Sequence, residues 1–118
     1  MDIKTDMETH LKKLVESDKI IIVEGKKDKA ALKKLGIKNI IDLGKKPLFH
    51  VVEEVASNGK ECIILTDMDK KGKELYGKLN AGLQRFGVKV DNSFRNFLYK
   101  NTKLRQIEGI VSYINNNE

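Results

Sequence analysis

Residues 61–72 read ECIILTDMDKKG. Cys62 to Leu65 form an unbroken apolar run. Such a run suits a strand covered on both faces, the habit of strands in a parallel sheet. It gives way at Thr66 to two acids, Asp67 and Asp69, then to Lys70, Lys71 and Gly72. In open α/β sheets, ligands bind beyond the carboxyl ends of the strands. The acids therefore fall where such a fold places its site. Being two apart, they share a side in extended geometry.

A second run, IIIV at residues 20–23, ends in the same way, at Glu24-Gly25. Between the two runs lie a helical stretch, the strand-like IKNIIDL of residues 37–43, and a further helix that opens at Pro47. VKV at 88–90 reads as a fourth, short strand. Strands alternating with helices imply right-handed crossovers and a parallel sheet. The expected fold is α/β: a Rossmann-like, three-layer α/β/α sandwich with a four-stranded parallel sheet. Its strands fall near 19–23, 38–43, 61–66 and 88–90. For Glu24 to meet Asp67 and Asp69, the first and third strands must be neighbours, and the order 2-1-3-4 satisfies this.

The helices are marked by period and punctuation. Thr5 to Glu8 fits a capping box opening a helix over 6–17, with Met7, Leu11, Leu14 and Val15 at helical spacing. Ala30, Ala31, Leu32 and Leu35 read as an inward face, stopped by Gly36. Leu48, Val51, Val52 and Val55 form the stripe of the helix closed by Asn58-Gly59. Leu75, Leu79 and Leu83 do the same for a helix from Gly72 to Phe86. Two helical pieces near 94–99 and 103–115 complete a single domain spanning 1–118, and the Asn115–Asn117 tail reads as dispensable.

Composition sets the limits. The chain has 118 residues, 40% hydrophobic and 6% aromatic, with no Trp, so one core must rest on Ile, Leu and Val. Its single Cys, Cys62, excludes an internal disulfide and reads as a small buried hydrophobe. That usage points to a reducing, cytoplasmic setting. A membrane helix needs about 20 apolar residues, and the longest apolar runs hold four. No membrane partner is therefore expected. The net charge is +6. From Lys26 to Lys46 there are eight lysines against Asp28 and Asp42. A polyanion such as RNA or DNA suits this balance; so does a lysine-rich solvated surface.

Crowded carboxylates repel and raise one another's pKa. A divalent cation removes that penalty, and hard oxygen donors suit Mg²⁺, with Mn²⁺ as a substitute. Glu24, Asp67 and Asp69 are the candidate metal ligands. The alternative gives Glu24 to a helix N-terminus and the aspartates to helix capping.

IIIVEGKKD followed by ECIILTDMDKKG resembles the Toprim domain shared by topoisomerases, bacterial-type primases and several nucleases. That pattern is an apolar strand ending in Glu-Gly, then one ending in Asp-x-Asp. The likeness spans roughly residues 18 to 100. It is strongest toward standalone small archaeal-type Toprim proteins and the Toprim domain of the ribonuclease that matures 5S ribosomal RNA. The resemblance implies that Glu24 exchanges a proton or binds metal, and that Asp67 and Asp69 hold Mg²⁺. Topoisomerases add a third acid where this chain has Lys71, and no tyrosine-bearing cleavage domain is present. The D-x-D-x-x-G form is nearer the primase-like and small nuclease-like members.

Around the acids, Lys26, Lys27, Lys70 and Lys71 could bind phosphate or merely offset the carboxylates. Gly25 is read as permitting close backbone approach, Asp28 as a helix cap or a support behind the site, and Gly72 as part of the motif. Arg95 and Arg105 could fork a phosphate but read rather as a solvated helix face. His10 and His50 lack metal-ligand spacing, so no zinc site is expected. No Gly-x-x-x-x-Gly-Lys-Ser/Thr loop appears, which disfavours a P-loop nucleotidase. Three functions remain: an Mg²⁺-dependent nuclease in RNA processing, a non-catalytic nucleic-acid-binding module of a larger repair or processing complex, and primase-like nucleotidyl transfer. The chain shows no separate substrate-recognition domain, which leaves room for a homodimer or a larger complex to complete the binding surface.

Overall fold

The computed structural model describes residues 2–59 and 61–116. In chain order these form α1 (Ile3–Glu16), β1 (Ile20–Val23), α2 (Lys26–Lys34), β2 (Ile40–Asp42), α3 (Leu48–Asn58), β3 (Glu61–Ile64), α4 (Lys70–Arg85), β4 (Lys89–Val90), α5 (Ser93–Asn101), a 3₁₀ turn (Ile107–Gly109) and α6 (Ile110–Asn116). The strands pair in the order β2-β1-β3-β4, all parallel. Ile21 lies opposite Ile40 on one side and Ile63 on the other. The expected α/β architecture and strand order are those of the protein.

The pleat divides the core. Ile21, Val23, Ile63 and Leu65 face a cluster built with α1, α2, α5, the 3₁₀ turn and α6. Ile22, Cys62 and Ile64 face the opposite cluster, built with α3 and α4. Strand residues covered on both sides have no polar face to show, which is why β1 and β3 read as continuous apolar runs. Cys62 is fully buried, and burial pushes its thiol up to about 11.

Pairing continues past the regular strands toward the site. Leu65 N–H donates to the Ile22 carbonyl at 2.7 Å, Leu43 N–H to Val23 at 2.9 Å, and Gly44 N–H to Glu24 at 3.1 Å. The backbone carrying Glu24 is therefore clamped between β2 and β3. At the opposite edge, Lys19 bridges Asp91 at 2.8 Å and Glu61 at 3.2 Å, tying the sheet's amino end together.

Local expectations shift in several places. Helix α1 begins at Ile3, ahead of the start that the Thr5 box implies, and its cap is Asp2, whose carboxylate accepts from Lys4 N–H at 3.2 Å. Thr5 lies inside the helix. Pro47 is the cap of α3, and Leu48 the first helical residue. Ala30 is exposed, while Ala31 and Leu32 carry the buried face of α2. The stretch read as one helix over 103–115 is extended to Gln106, turns through 107–109, and becomes helical only at Ile110. The extended part lies against the loop after β3: Met68 N–H donates to the Arg105 carbonyl at 2.7 Å. Tertiary pairing there replaces the helical hydrogen bonds. Asn117 lies outside the described residues.

Candidate metal and phosphate site

Two strand ends deliver the acids to one edge. Glu24 follows β1, and Asp67 and Asp69 follow β3. Each carboxylate is set by a backbone donor. Glu24 Oε1 accepts from Asp67 N–H at 2.9 Å, Asp67 Oδ1 from Ile107 N–H at 2.9 Å, and Asp69 Oδ1 from Gly72 N–H at 2.8 Å. Among the described residues, the second oxygen of each has no protein donor. Asp69 is the N-cap of α4, so the capping role weighed for it from sequence is present in the fold.

The electrostatics record crowding. Burial raises the Glu24 pKa, and Asp67 and Asp69 raise it further against the Asp67 amide and the Lys71 ammonium. Burial likewise raises Asp67, helped by Asp69 and Glu108 and opposed by Ile107 N–H and Arg95. Asp28 stands behind them. It is 7% exposed, its Oδ2 accepts from Gly25 N–H at 3.0 Å, and burial lifts its pKa to about 6. It closes the first turn of α2 by reaching back to the residue before it, the second half of a capping box.

An open cleft of about 370 Å³ is lined by Glu24, Gly25, Lys26, Lys27, Asp28, Asp67 and Glu108. Lys26 and Lys27 are exposed on its rim. Lys71 lies near enough to act on Glu24. Lys70 is exposed at the first residue of α4. Gly25 is extended, and a Cβ there would meet only Asp28 Oδ2, at an ordinary 3.8 Å. Neither a turn nor a close contact demands glycine at that position.

Gly72 is different. A Cβ on it would overlap the carbonyl of Asp67. Thr66 Oγ1 also donates to the Gly72 carbonyl at 2.7 Å. The first turn of α4 thus lies directly on the acidic loop, which accounts for glycine three residues after Asp69.

Three participants were hidden in the sequence. Arg95 is not solvated: it is 7% exposed, and its guanidinium donates to the carbonyls of Thr66 at 2.6 Å and Asp67 at 3.2 Å. Ile107 contributes only a backbone N–H, which no side-chain pattern reveals. Glu108 joins the cleft from the 3₁₀ turn, masked by the helical reading of its segment. Arg105 is exposed, donating to the carbonyls of Thr102 at 3.2 Å and Leu104 at 3.0 Å. His10 packs against Phe97 at 4.6 Å between ring centroids, and His50 is exposed on α3.

The donor set suits a hard divalent cation: carboxylate oxygens only, each set by a backbone amide. Among the described residues, no three His, Cys, Asp or Glu side chains stand ready as a metal cage. Mg²⁺ keeps several waters and is usually held through one or two carboxylates together with phosphate.

Residues 19–92 match the Toprim domain, and the chain belongs to that family, a metal-binding fold that acts on nucleic acids. Toprim domains generally bind Mg²⁺. Within the family, the chain is similar to the UPF0292 protein of Pyrococcus abyssi, 44% identical over 92% of this chain and 81% of that one. It is similar also to the UPF0292 protein of Methanocaldococcus jannaschii, 37% identical over 87% of this chain and 84% of that one. These are small archaeal relatives, as the resemblance in the sequence implied. A solved structure of a protein from Aquifex aeolicus superposes with a TM-score of 0.78 at 38% identity, over 88% of this chain and 94% of that one. No helix of the described residues is long and apolar enough to cross a membrane.

Proposed function

We propose that the chain is an Mg²⁺-dependent nuclease acting on RNA, with Glu24, Asp67 and Asp69 as its catalytic acids. One observation carries the reading: acids from separate strand ends meet at the carboxyl edge, where the Asp67 N–H donates to Glu24 Oε1 at 2.9 Å, beside lysines suited to phosphate. Asp67 and Asp69 would hold the cation with their unengaged oxygens, and Mn²⁺ would serve in place of Mg²⁺. Bound there, the cation supplies charge stabilisation at a phosphodiester and lowers the pKa of water. Lys26, Lys27, Lys70 and Lys71 hold the flanking phosphates as point charges. Glu24 has one oxygen fixed by the Asp67 amide and the other free to accept or return a proton. Its raised pKa brings it nearer the working pH of a general base.

A second reading is a nucleic-acid-binding module without turnover, as part of a larger repair or processing assembly. It is favoured by the capping engagement of Asp69. A panel of structured RNAs and DNAs, incubated with Mg²⁺, Mn²⁺ or chelator, separates the two. Metal-dependent cleavage that vanishes in Glu24→Gln supports the nuclease. Metal-dependent binding with no product from any substrate supports the module. Nucleotide incorporation on a primed or unprimed template would instead indicate primase-like transfer.

A further inference from the structure

Beside the acidic loop, and sharing no wall residue with the Glu24 cleft, lies a cavity of about 210 Å³ lined by Met68, Lys73, Tyr76, Arg95, Asn96 and Tyr99. It is smaller than the roughly 300–1,000 Å³ of a drug-sized pocket, and suits a single planar ring system. Its walls combine ring faces and cations. Arg95 lies 4.7 Å from the Tyr76 ring centroid, and Lys73 lies 4.8 Å from that of Tyr99. Tyr99 is 48% exposed, and the cations over its ring, Lys73 and, at 5.6 Å from the centroid, Arg105, are both exposed side chains that an arriving ring can displace. The Asn96 side-chain amide has no partner among the described residues, and so offers a donor and an acceptor together.

These parts match an unpaired nucleobase. A base stacks on aromatic and guanidinium planes and is read by amide groups along its edge. We infer that this cavity is a subsite for one unstacked base of a nucleic-acid strand whose backbone runs past the acids. Met68 ties the two places together: it lines the cavity and lies between Asp67 and Asp69 in the chain. Arg95 does the same, lining the cavity while donating to the Asp67 carbonyl. Among the described residues, the Lys73 ammonium is held only through Tyr99, by its ring and by its hydroxyl at 3.4 Å. An exposed ammonium gives up such contacts at little cost, so Lys73 can turn outward to the phosphate of the entering nucleotide. A base paired in a duplex cannot enter. The subsite therefore selects single strands, loops or frayed ends.

This inference rests on the nucleic-acid reading above, and the experiment separates their failures. Short RNA and DNA single strands and the matching duplexes are titrated by fluorescence anisotropy with the wild-type chain in Mg²⁺. An abasic nucleotide is then moved along the single strand. Single strands should bind more tightly than duplexes, and one abasic position should weaken binding about tenfold, the scale of a lost base–aromatic stack. Tyr99→Ala should weaken the intact strand by the same factor and erase the abasic penalty, while Tyr99→Phe keeps both. A mononucleotide should compete poorly; equal competition would overturn a strand as the occupant. A flat abasic scan, or unchanged binding by Tyr99→Ala while the Lys26/Lys27/Lys70/Lys71→Ala variant loses it, overturns the subsite and leaves the general reading standing. If the wild type binds no nucleic acid at low salt, both fall.

Discussion

Glu24 on the loop after β1 accepts, through Oε1, the backbone N–H of Asp67 beyond β3, at 2.9 Å. One hydrogen bond thereby fixes the spacing of two acids from different strands and leaves the other Glu24 oxygen open. Glu24→Gln keeps an amide oxygen for the Asp67 N–H but removes the proton-accepting charge. The cleavage rate should fall about 100-fold or more, the scale of a lost general base, with melting and nucleic-acid affinity little changed. Cleavage that survives intact would place the chemistry elsewhere.

Asp67 is held by Ile107 N–H, which an asparagine oxygen can also accept. Asp67→Asn should therefore fold. Mg²⁺ should raise the wild-type melting temperature, since a ligand of the native state alone stabilises it. Asp67→Asn and Asp69→Asn should lose that rise. In chelator, Asp67→Asn should melt no lower than wild type, because relief of repulsion from Asp69 and Glu108 offsets the change. A variant that responds to metal like wild type would remove Asp67 from the ligand set.

Gly72→Ala drives a methyl into the Asp67 carbonyl. Alanine elsewhere in a helix improves propensity; here overpacking should cost about 1–3 kcal/mol, read by urea denaturation. Gly77→Ala in the same helix, where a Cβ meets nothing within 4 Å, is the control and should be neutral or stabilising.

Asp28 has its pKa raised from an ordinary 3.8 to about 6. The native state therefore binds more protons than the unfolded chain between those values, and its stability falls as pH rises through that window. Above pH 6 the cost of the buried charge is constant. Asp28→Asn keeps an acceptor for Gly25 N–H, so in chelator it should flatten the decline between about pH 4 and 6 and stabilise at pH 7. A wild-type profile with the same slope in the variant would contradict the assignment.

Lys26, Lys27, Lys70 and Lys71 are exposed. If they touch phosphate, binding weakens with salt, each neutralised phosphate adding about 0.7–0.9 to the slope of log K against log salt. Changing all four to alanine should flatten the slope in proportion to the number of phosphates they neutralise. An unchanged slope would return them to the solvated surface.

The strands, their order and the meeting of Glu24 with the Asp67–Asp69 pair were legible along the chain. Burial on both faces demands continuous apolar runs, and their charged ends mark the functional edge. Both signals are local and survive without knowledge of the fold. The Toprim resemblance rests on those same residues. What surrounds the acids was decided by contacts between distant segments. Whether Arg95 faces solvent depends on where α5 settles, and it settles with the guanidinium on the carbonyls of Thr66 and Asp67, just beyond β3. The 103–115 stretch has helical spacing, yet its first part is extended because pairing with Met68 and Asp67 satisfies the same backbone groups. A periodic pattern reports which side chains are buried. It cannot report which backbone partner wins when a helix and a neighbouring loop compete for the same hydrogen bonds, and only the tertiary structure settles that competition.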